Sequence, residues 1–253
     1  MAIPSVFFGE IFSTRVYTRL MKKMKVVISG VLAGLFIGLG SFAYCACVAL
    51  DLTLGKILGG VLFSVGLFLV CFSGSCLYTG RIGFAGEAIK EKGWGYLFEL
   101  LLMLLGNFIG AAGSGALLNV AFFNDKNSKI MATAASIAQN RSILGDSAQP
   151  WYKALILGFF CGILVFLAVY VWKKSENWSI KVTGLILCVT TFVVTGAEHC
   201  IANMFFYAFA GAWNLGDFLD VLLVIAGNSL GSLFVYSLLF FVRETQRDNS
   251  HKA

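Results

Sequence analysis

The sequence predicts an all-α membrane protein of six transmembrane helices, arranged as a 3+3 inverted repeat whose second and fifth helices are broken. Three observations lead there. Hydrophobic residues make up 58% of the 253 positions and charged residues only 13%, with a mean hydropathy of +0.84, which exceeds the apolar content of a water-soluble domain. The apolar residues gather into six stretches close to the length that crosses a bilayer. Two of those stretches give way to polar or glycine-rich sequence at matching places in the two halves of the chain.

Residues 1–25 carry Phe7, Phe8, Ile11, Phe12 and Val16 together with Arg15, Arg19, Lys22, Lys23 and Lys25, the pattern of an amphipathic helix lying on the cytoplasmic leaflet. The apolar run after it is too long for a signal-peptide core, so residues 26–49 are expected to stay as the first span. Further spans are expected at about 57–73, 97–123, 154–172, 181–196 and 217–242, which makes 26–242 the channel domain and 243–253 a polar cytoplasmic tail. The long loop 124–153 falls outside and holds a candidate short helix around Ile130 to Ala138.

Basic residues set the orientation. With both termini inside, fourteen of the nineteen Lys and Arg are cytoplasmic, and only Lys56, Lys126, Lys129, Arg141 and Lys153 lie outside. The net charge of +6 is therefore read as topology and not as a nucleic-acid surface, because no aromatic-interleaved basic patch forms. Seven cysteines lie in or beside apolar runs with no CxxC pair and no histidine at zinc-ligand spacing, so they are read as packing residues. Neither a metal nor a cofactor is expected.

The repeat is visible in the residues. Gly34-Leu35-Phe36-Ile37-Gly38 recurs as Gly158-Phe159-Phe160-Cys161-Gly162, and Gly106-Asn107-Phe108-Ile109-Gly110 as Gly227-Asn228-Ser229-Leu230-Gly231, at offsets of 124 and 121. Close helix packing through glycine is the simplest use of such motifs. In the same register, Ser73-Gly74-Ser75-Cys76-Leu77-Tyr78-Thr79-Gly80 interrupts the second span and Thr195-Gly196-Ala197-Glu198-His199 the fifth. Three crossings per half turn the second half upside down, which sets the two breaks face to face near the midplane.

The fifth-span break places Glu198, His199 and Asn203 inside an apolar run, where ionisable groups are costly and are functional candidates by default. His199 is the only histidine besides His251 in the tail. A hydrogen-bonded core histidine is the simpler alternative, and for Thr79 a hydroxyl that caps a turn. A bare anion entering an apolar constriction faces a cost of tens of kcal/mol in the Born limit. Protonating a carboxylate of pKa near 3.7 at pH 7 costs only about 4.5 kcal/mol. Passage as the neutral acid is the cheaper route, and a histidine paired with a hydroxyl beside the constriction suits it. Lys153 at the outer mouth would concentrate anions, or else snorkel from a helix end.

The chain resembles the formate/nitrite transporter family. Glu198-His199-Cys200-Ile201-Ala202-Asn203-Met204 is similar to that family's EHxxANM signature, Leu77-Tyr78-Thr79-Gly80 to its LFTG-type loop, and the glycine motifs at Gly34 and Gly106 to those of its first and third helices. The resemblance covers about residues 26–242. It implies an aquaporin-like fold and a plasma-membrane homopentamer that passes small anions of weak acids, with protons, through one pore per protomer. It further implies His199 as the central histidine with Thr79 facing it, and Glu198 and Asn203 holding the broken helix. Phe63, Leu67, Leu77 and Phe192 become the apolar constrictions, and Lys153 takes the place of a lysine found in many members. Gly162 stands where an asparagine is usual, Arg81 follows Thr79-Gly80 where asparagine is common, and the proline that often follows the signature is absent. Arg81 either adds charge beside the loop or snorkels to the interface.

Two other functions are open to this sequence. A neutral-solute channel of aquaporin type would not need His199 opposite Thr79, and an intramembrane enzyme using Ser75 or Cys76 with His199 would need nucleophile and base in hydrogen-bond reach and leaves the repeat unexplained. If Lys153 attracts anions, Lys153→Ser lowers uptake into proteoliposomes most at low ionic strength; a salt-independent effect counts against that role.

Overall fold

In a computed structural model, residues 5–50, 52–125, 128–145, 147–211 and 213–250 are described; side chains are described except at 5–17, 19 and 244–250. The side chains expected to form the amphipathic N-terminal face (Phe7, Phe8, Ile11, Phe12, Arg15, Val16, Arg19), with Lys126, Arg247, His251 and Lys252, lie outside that description. The described chain is helical from end to end. Helix α1 (Ser5–Ala49) carries the segment expected at the surface and the first span without a break.

Five described helices are long and apolar enough to cross a membrane: α1 over Leu20–Ala49, α2 (Gly55–Ser73), α5 (Gly95–Phe122), α7 (Trp151–Lys174) and α10 (Leu215–Ser250) over Leu215–Arg243. The stretch expected as the fifth span is α8 (Trp178–Val194), only 17 residues long and followed after a break by α9 (Cys200–Ala210). The second span is likewise followed, after its break, by the short helices α3 (Tyr78–Ile82) and α4 (Ala85–Lys92). The short helix expected in the 124–153 loop is present as α6 (Lys129–Arg141), its first turn closed by Ser128, whose hydroxyl accepts the Met131 N–H.

Both breaks end on a glycine with left-handed backbone, Gly74 at φ 70° and Gly196 at φ 74°, a conformation that a side chain disfavours. Beyond each glycine the chain folds back identically: Ser75 N–H bonds the Val70 carbonyl and Ala197 N–H the Phe192 carbonyl. The apolar repeat residues serve two seams. α1 packs on α5, and α7 on α10. At the first seam a Cβ on Gly34 would overlap the Asn107 carbonyl and one on Gly110 the Val31 carbonyl; at the second, Gly162 and Gly231 meet the carbonyls of Asn228 and Phe159 in the same way. The short helices then cross over, α9 packing on α5 while α3 packs on α7 and α10. That exchange brings the two breaks together.

Large apolar side chains such as Leu101, Leu105, Leu117 and Val120 point outward, as the hydrocarbon of a bilayer or a neighbouring apolar surface requires. A methyl at a seam has no space to enter, so Gly110→Ala is expected to destabilise the detergent-solubilised protein by about 1–3 kcal/mol, whereas Gly113→Ala, with nothing within 4 Å, is neutral. Thermal unfolding of both variants checks this, and equal midpoints would remove the seam argument.

Candidate functional site

The centre of the molecule is made by the two breaks. His199 is the N-cap of α9, its Nδ1 accepting the Ala202 N–H at 3.3 Å, while its Nε2 lies 2.9 Å from Thr79 Oγ1 on α3. With Nδ1 occupied as an acceptor, a neutral ring carries its hydrogen on Nε2 and donates it to Thr79. The Thr79 hydroxyl hydrogen is then free to point elsewhere. Neither ring nitrogen is paired with Ser75 or Cys76, the nucleophiles an enzyme would need; the Ser75 hydroxyl is paired with Ser73.

Apolar side chains close the site on both sides. Phe63 and Phe192 meet edge to face with ring centres 5.5 Å apart, and Phe192 stacks on the His199 ring at 6.1 Å. A cavity of about 20 Å³ beside them is walled by Tyr44, Phe206, His199 and Arg141. On the other side Leu77, buried like Leu67, forms part of the wall of a chamber of about 220 Å³ that also touches Gly80, Trp172, Arg81 and Lys173. His199, Phe63 and Phe192 thus line one cavity and Leu77 the other, while Thr79 is fully buried at its bond to His199. Lys153 is exposed in the first turn of α7 and lines neither cavity.

Arg141, from the end of α6, reaches further in than any sequence signal suggested. Its guanidinium donates to Asn203 Oδ1, lies 4.0 Å from Glu198 Oε2 and sits 5.0 Å over the Phe206 ring. Glu198 does not bond the His199 ring. Its carboxylate accepts from Gln149 Nε2 at 2.8 Å and Asn203 Nδ2 at 2.8 Å, and the same two amides bond Asp220, which also accepts the Tyr207 hydroxyl at 2.7 Å. Two buried carboxylates and one arginine are thereby tied through Gln149 and Asn203. Gln149, Asp220 and Tyr207 carry no signal in the sequence, because each is an isolated polar residue whose partners come from other helices.

The backbone of each break is held by one asparagine. Asn107 donates to the carbonyls of Gly30 and Cys76 and accepts the Tyr78 N–H at 2.8 Å; Asn228 donates to the carbonyls of Gly158 and Glu198 and accepts the Cys200 N–H at 3.0 Å. These are the residues inside the repeated glycine motifs, and their role was legible there as a recurrence, although only glycine packing explained it.

A family model described as formate/nitrite transporter matches residues 7–242. The chain belongs to the formate/nitrite transporter family. As a member it is similar to the uncharacterized transporter YrhG of Bacillus subtilis, 27% identical over 92% of this chain and 91% of the relative. It is also 27% identical to the nitrite transporter NirC of Escherichia coli over 82% and 80% of the two chains. A solved pentameric formate channel with formate bound matches with a TM-score of 0.74 and 26% identity, covering 89% of this chain and 98% of that one. This formate/nitrite transporter family member is therefore a multi-pass membrane transporter of anions, not an enzyme.

Removing an asparagine strands one N–H and two carbonyls in an apolar interior. Asn107→Leu and Asn228→Leu are each expected to cost about 2–4 kcal/mol, read as a lower unfolding midpoint; a midpoint equal to the parent's would show that other groups satisfy the breaks.

Proposed function

We propose that the protein is a pH-responsive channel for small monovalent anions of weak acids, of the formate, nitrite, hydrosulfide, acetate or lactate class, which favours their passage as the neutral acid. The observation that carries this reading is the buried 2.9 Å contact of Thr79 Oγ1 with His199 Nε2 beside the Phe63–Phe192 pair. An anion arriving there has lost most of its water. The Thr79 hydroxyl, oriented by the His199 donor, offers it a hydrogen bond, and the N-terminal end of α9 adds partial positive charge. With Nδ1 committed to Ala202 N–H, His199 acts as the group that orients Thr79 and polarises the water from which the anion takes its proton. A neutral-solute pore needs none of this.

Arg141 on one side and Arg81 with Lys173 on the other supply the attraction at the two ends of the path. Glu198 and Asn203 hold Arg141 in place, while Lys153 acts at most as a more distant attractor. Phe63, Phe192, Leu67 and Leu77 form the two constrictions. The matched breaks, asparagines and glycine seams support six crossings in two inverted halves, with α8 and α9 together as the fifth. The basic residues support cytoplasmic termini in a plasma membrane, with residues 1–25 on its inner surface. The pentameric neighbour supports a homopentamer with one pore in each protomer.

A panel of formate, acetate, lactate, nitrite and hydrosulfide fluxes in proteoliposomes at several pH values tests the reading. Formate flux rises as pH falls, because the neutral acid becomes less costly, and hydrosulfide, whose acid has a pKa near 7, depends less steeply on pH. Thr79→Ala lowers flux by about tenfold, the worth of a hydrogen bond to a charged group, while Thr79→Ser retains most of it. His199→Phe abolishes or uncouples the flux from pH. Unchanged pH-dependent flux in both would exclude the His–Thr site.

A further inference from the structure

Beside the chamber under Leu77 lies a larger cavity of about 330 Å³, and Arg81 and Lys173 belong to the walls of both. Three more cations, Lys92, Lys174 and Arg243, complete the larger one, against two carboxylates, Glu87 and Glu91. Among the described residues the one ion pair in the molecule is Arg141 with Glu198, far from here, so this positive surplus is not neutralised by salt bridges. Three of the five cations are instead positioned by rings. Lys173 sits 4.0 Å over Phe84, Arg243 5.0 Å over Tyr170 and Lys92 5.2 Å over Tyr96. A ring face fixes a cation while leaving its N–H donors free.

An independent observation points to what is missing. Tyr170 is 9% exposed and lines this cavity, yet its hydroxyl has no hydrogen-bond partner. A buried hydroxyl without a partner is rare and calls for one. Most of its polar surroundings are donors. An oxyanion supplies the acceptors that the hydroxyl and the cations both need. A monovalent anion would leave most of the surplus charge uncancelled, whereas a phosphate-type group brings two or more charges and three or more acceptor oxygens. The volume lies near the lower end of small-ligand sites, about 300–1,000 Å³, enough for such a group with water.

We propose that this cavity binds a polyvalent phosphate-type oxyanion, and that the bound ion, seated against Arg81 and Lys173, screens the cationic rim of the pore's inner chamber and slows anion passage. The screening half rests on the pore reading above; the binding half does not. The site is not the Thr79–His199 centre, and an anion there need never cross the membrane.

Calorimetric titration of the purified full-length protein with pyrophosphate and with inorganic phosphate tests the binding half whether or not the pore conducts. One saturable site per protomer is expected, tighter for pyrophosphate and weakened by salt. Tyr170→Phe, which removes only the hydroxyl, and Arg243→Gln are each expected to weaken it about tenfold. No saturable binding, or equal affinity in both variants and the parent, overturns the proposal. The same titration in nanodiscs separates the sources of phosphate: a loss of affinity from phosphatidylcholine to phosphatidylglycerol that is larger in the parent than in Arg243→Gln identifies a lipid headgroup as the natural occupant, and a loss equal in both, the effect of surface charge alone, a soluble anion. In proteoliposomes, pyrophosphate on both sides at about three times the parent's Kd is expected to lower formate flux about threefold in the parent and less than about 1.5-fold in Arg243→Gln, as a tenfold difference in affinity requires. Binding with unaltered formate flux overturns the screening role.

Discussion

A helix that stops inside a bilayer leaves N–H and carbonyl groups with no water to satisfy them, and each such group costs several kcal/mol. This chain stops two helices at Gly74 and Gly196, with Leu77, Thr79, Glu198 and His199 buried just beyond them, and the rest of the fold follows from how the loose ends are tied. One asparagine per break does most of it, Asn107 for Cys76 and Tyr78, Asn228 for Glu198 and Cys200. Each can reach only because its helix lies against a partner with glycine at the contact, Gly30 and Gly34 for α5, Gly158 and Gly162 for α10. Gly162, where the sequence departs from the usual asparagine, belongs to this second seam. A side chain there would overlap the Asn228 backbone and shift the residue that holds the second break.

With the breaks secured, their side chains can be placed at a fixed distance. Thr79 and His199 come from opposite halves, 120 residues apart, yet meet at 2.9 Å. The carboxylate beside the histidine is used differently from what adjacency in the sequence suggests. Glu198 turns to a buried cluster with Arg141, Asn203, Gln149 and Asp220, where two amides divide their donors between two carboxylates. Such a cluster is expensive to assemble and rigid once complete, since losing one member leaves others buried without partners. Its effect is to hold one guanidinium in the wall of the cavity that Phe63, Phe192 and His199 line.

The two cationic regions are unlike in their partners. Arg141 is paired with a carboxylate, whereas in the cavity that Arg81 shares with Lys173 the cations Lys173, Arg243 and Lys92 rest on aromatic rings. Arg81, read from the sequence as either a local charge or a snorkelling residue, lines both inner cavities. A paired cation attracts weakly and locally; an unpaired cluster in a half-enclosed chamber projects a field that a multivalent counter-ion can cancel.

The sequence by itself determined the class of molecule, most of the element order, the positions of both breaks and the family. Those properties are local or periodic: apolar stretches of membrane length, a glycine that alone tolerates positive φ, a signature around His199, and motifs that recur at a constant offset. It marked Asn107 and Asn228 by recurrence without disclosing what they bond, and it gave Lys153 prominence over Arg141 because position relative to an expected helix end was all it could supply. Only the tertiary structure decided that Arg141 shares a cavity with Phe63 and Phe192, that Glu198 is tied to Asp220 rather than His199, and that five cations share one cavity. Each of these depends on side chains from helices far apart in the chain, and the directions of such side chains are set by packing, which leaves no period or spacing to read.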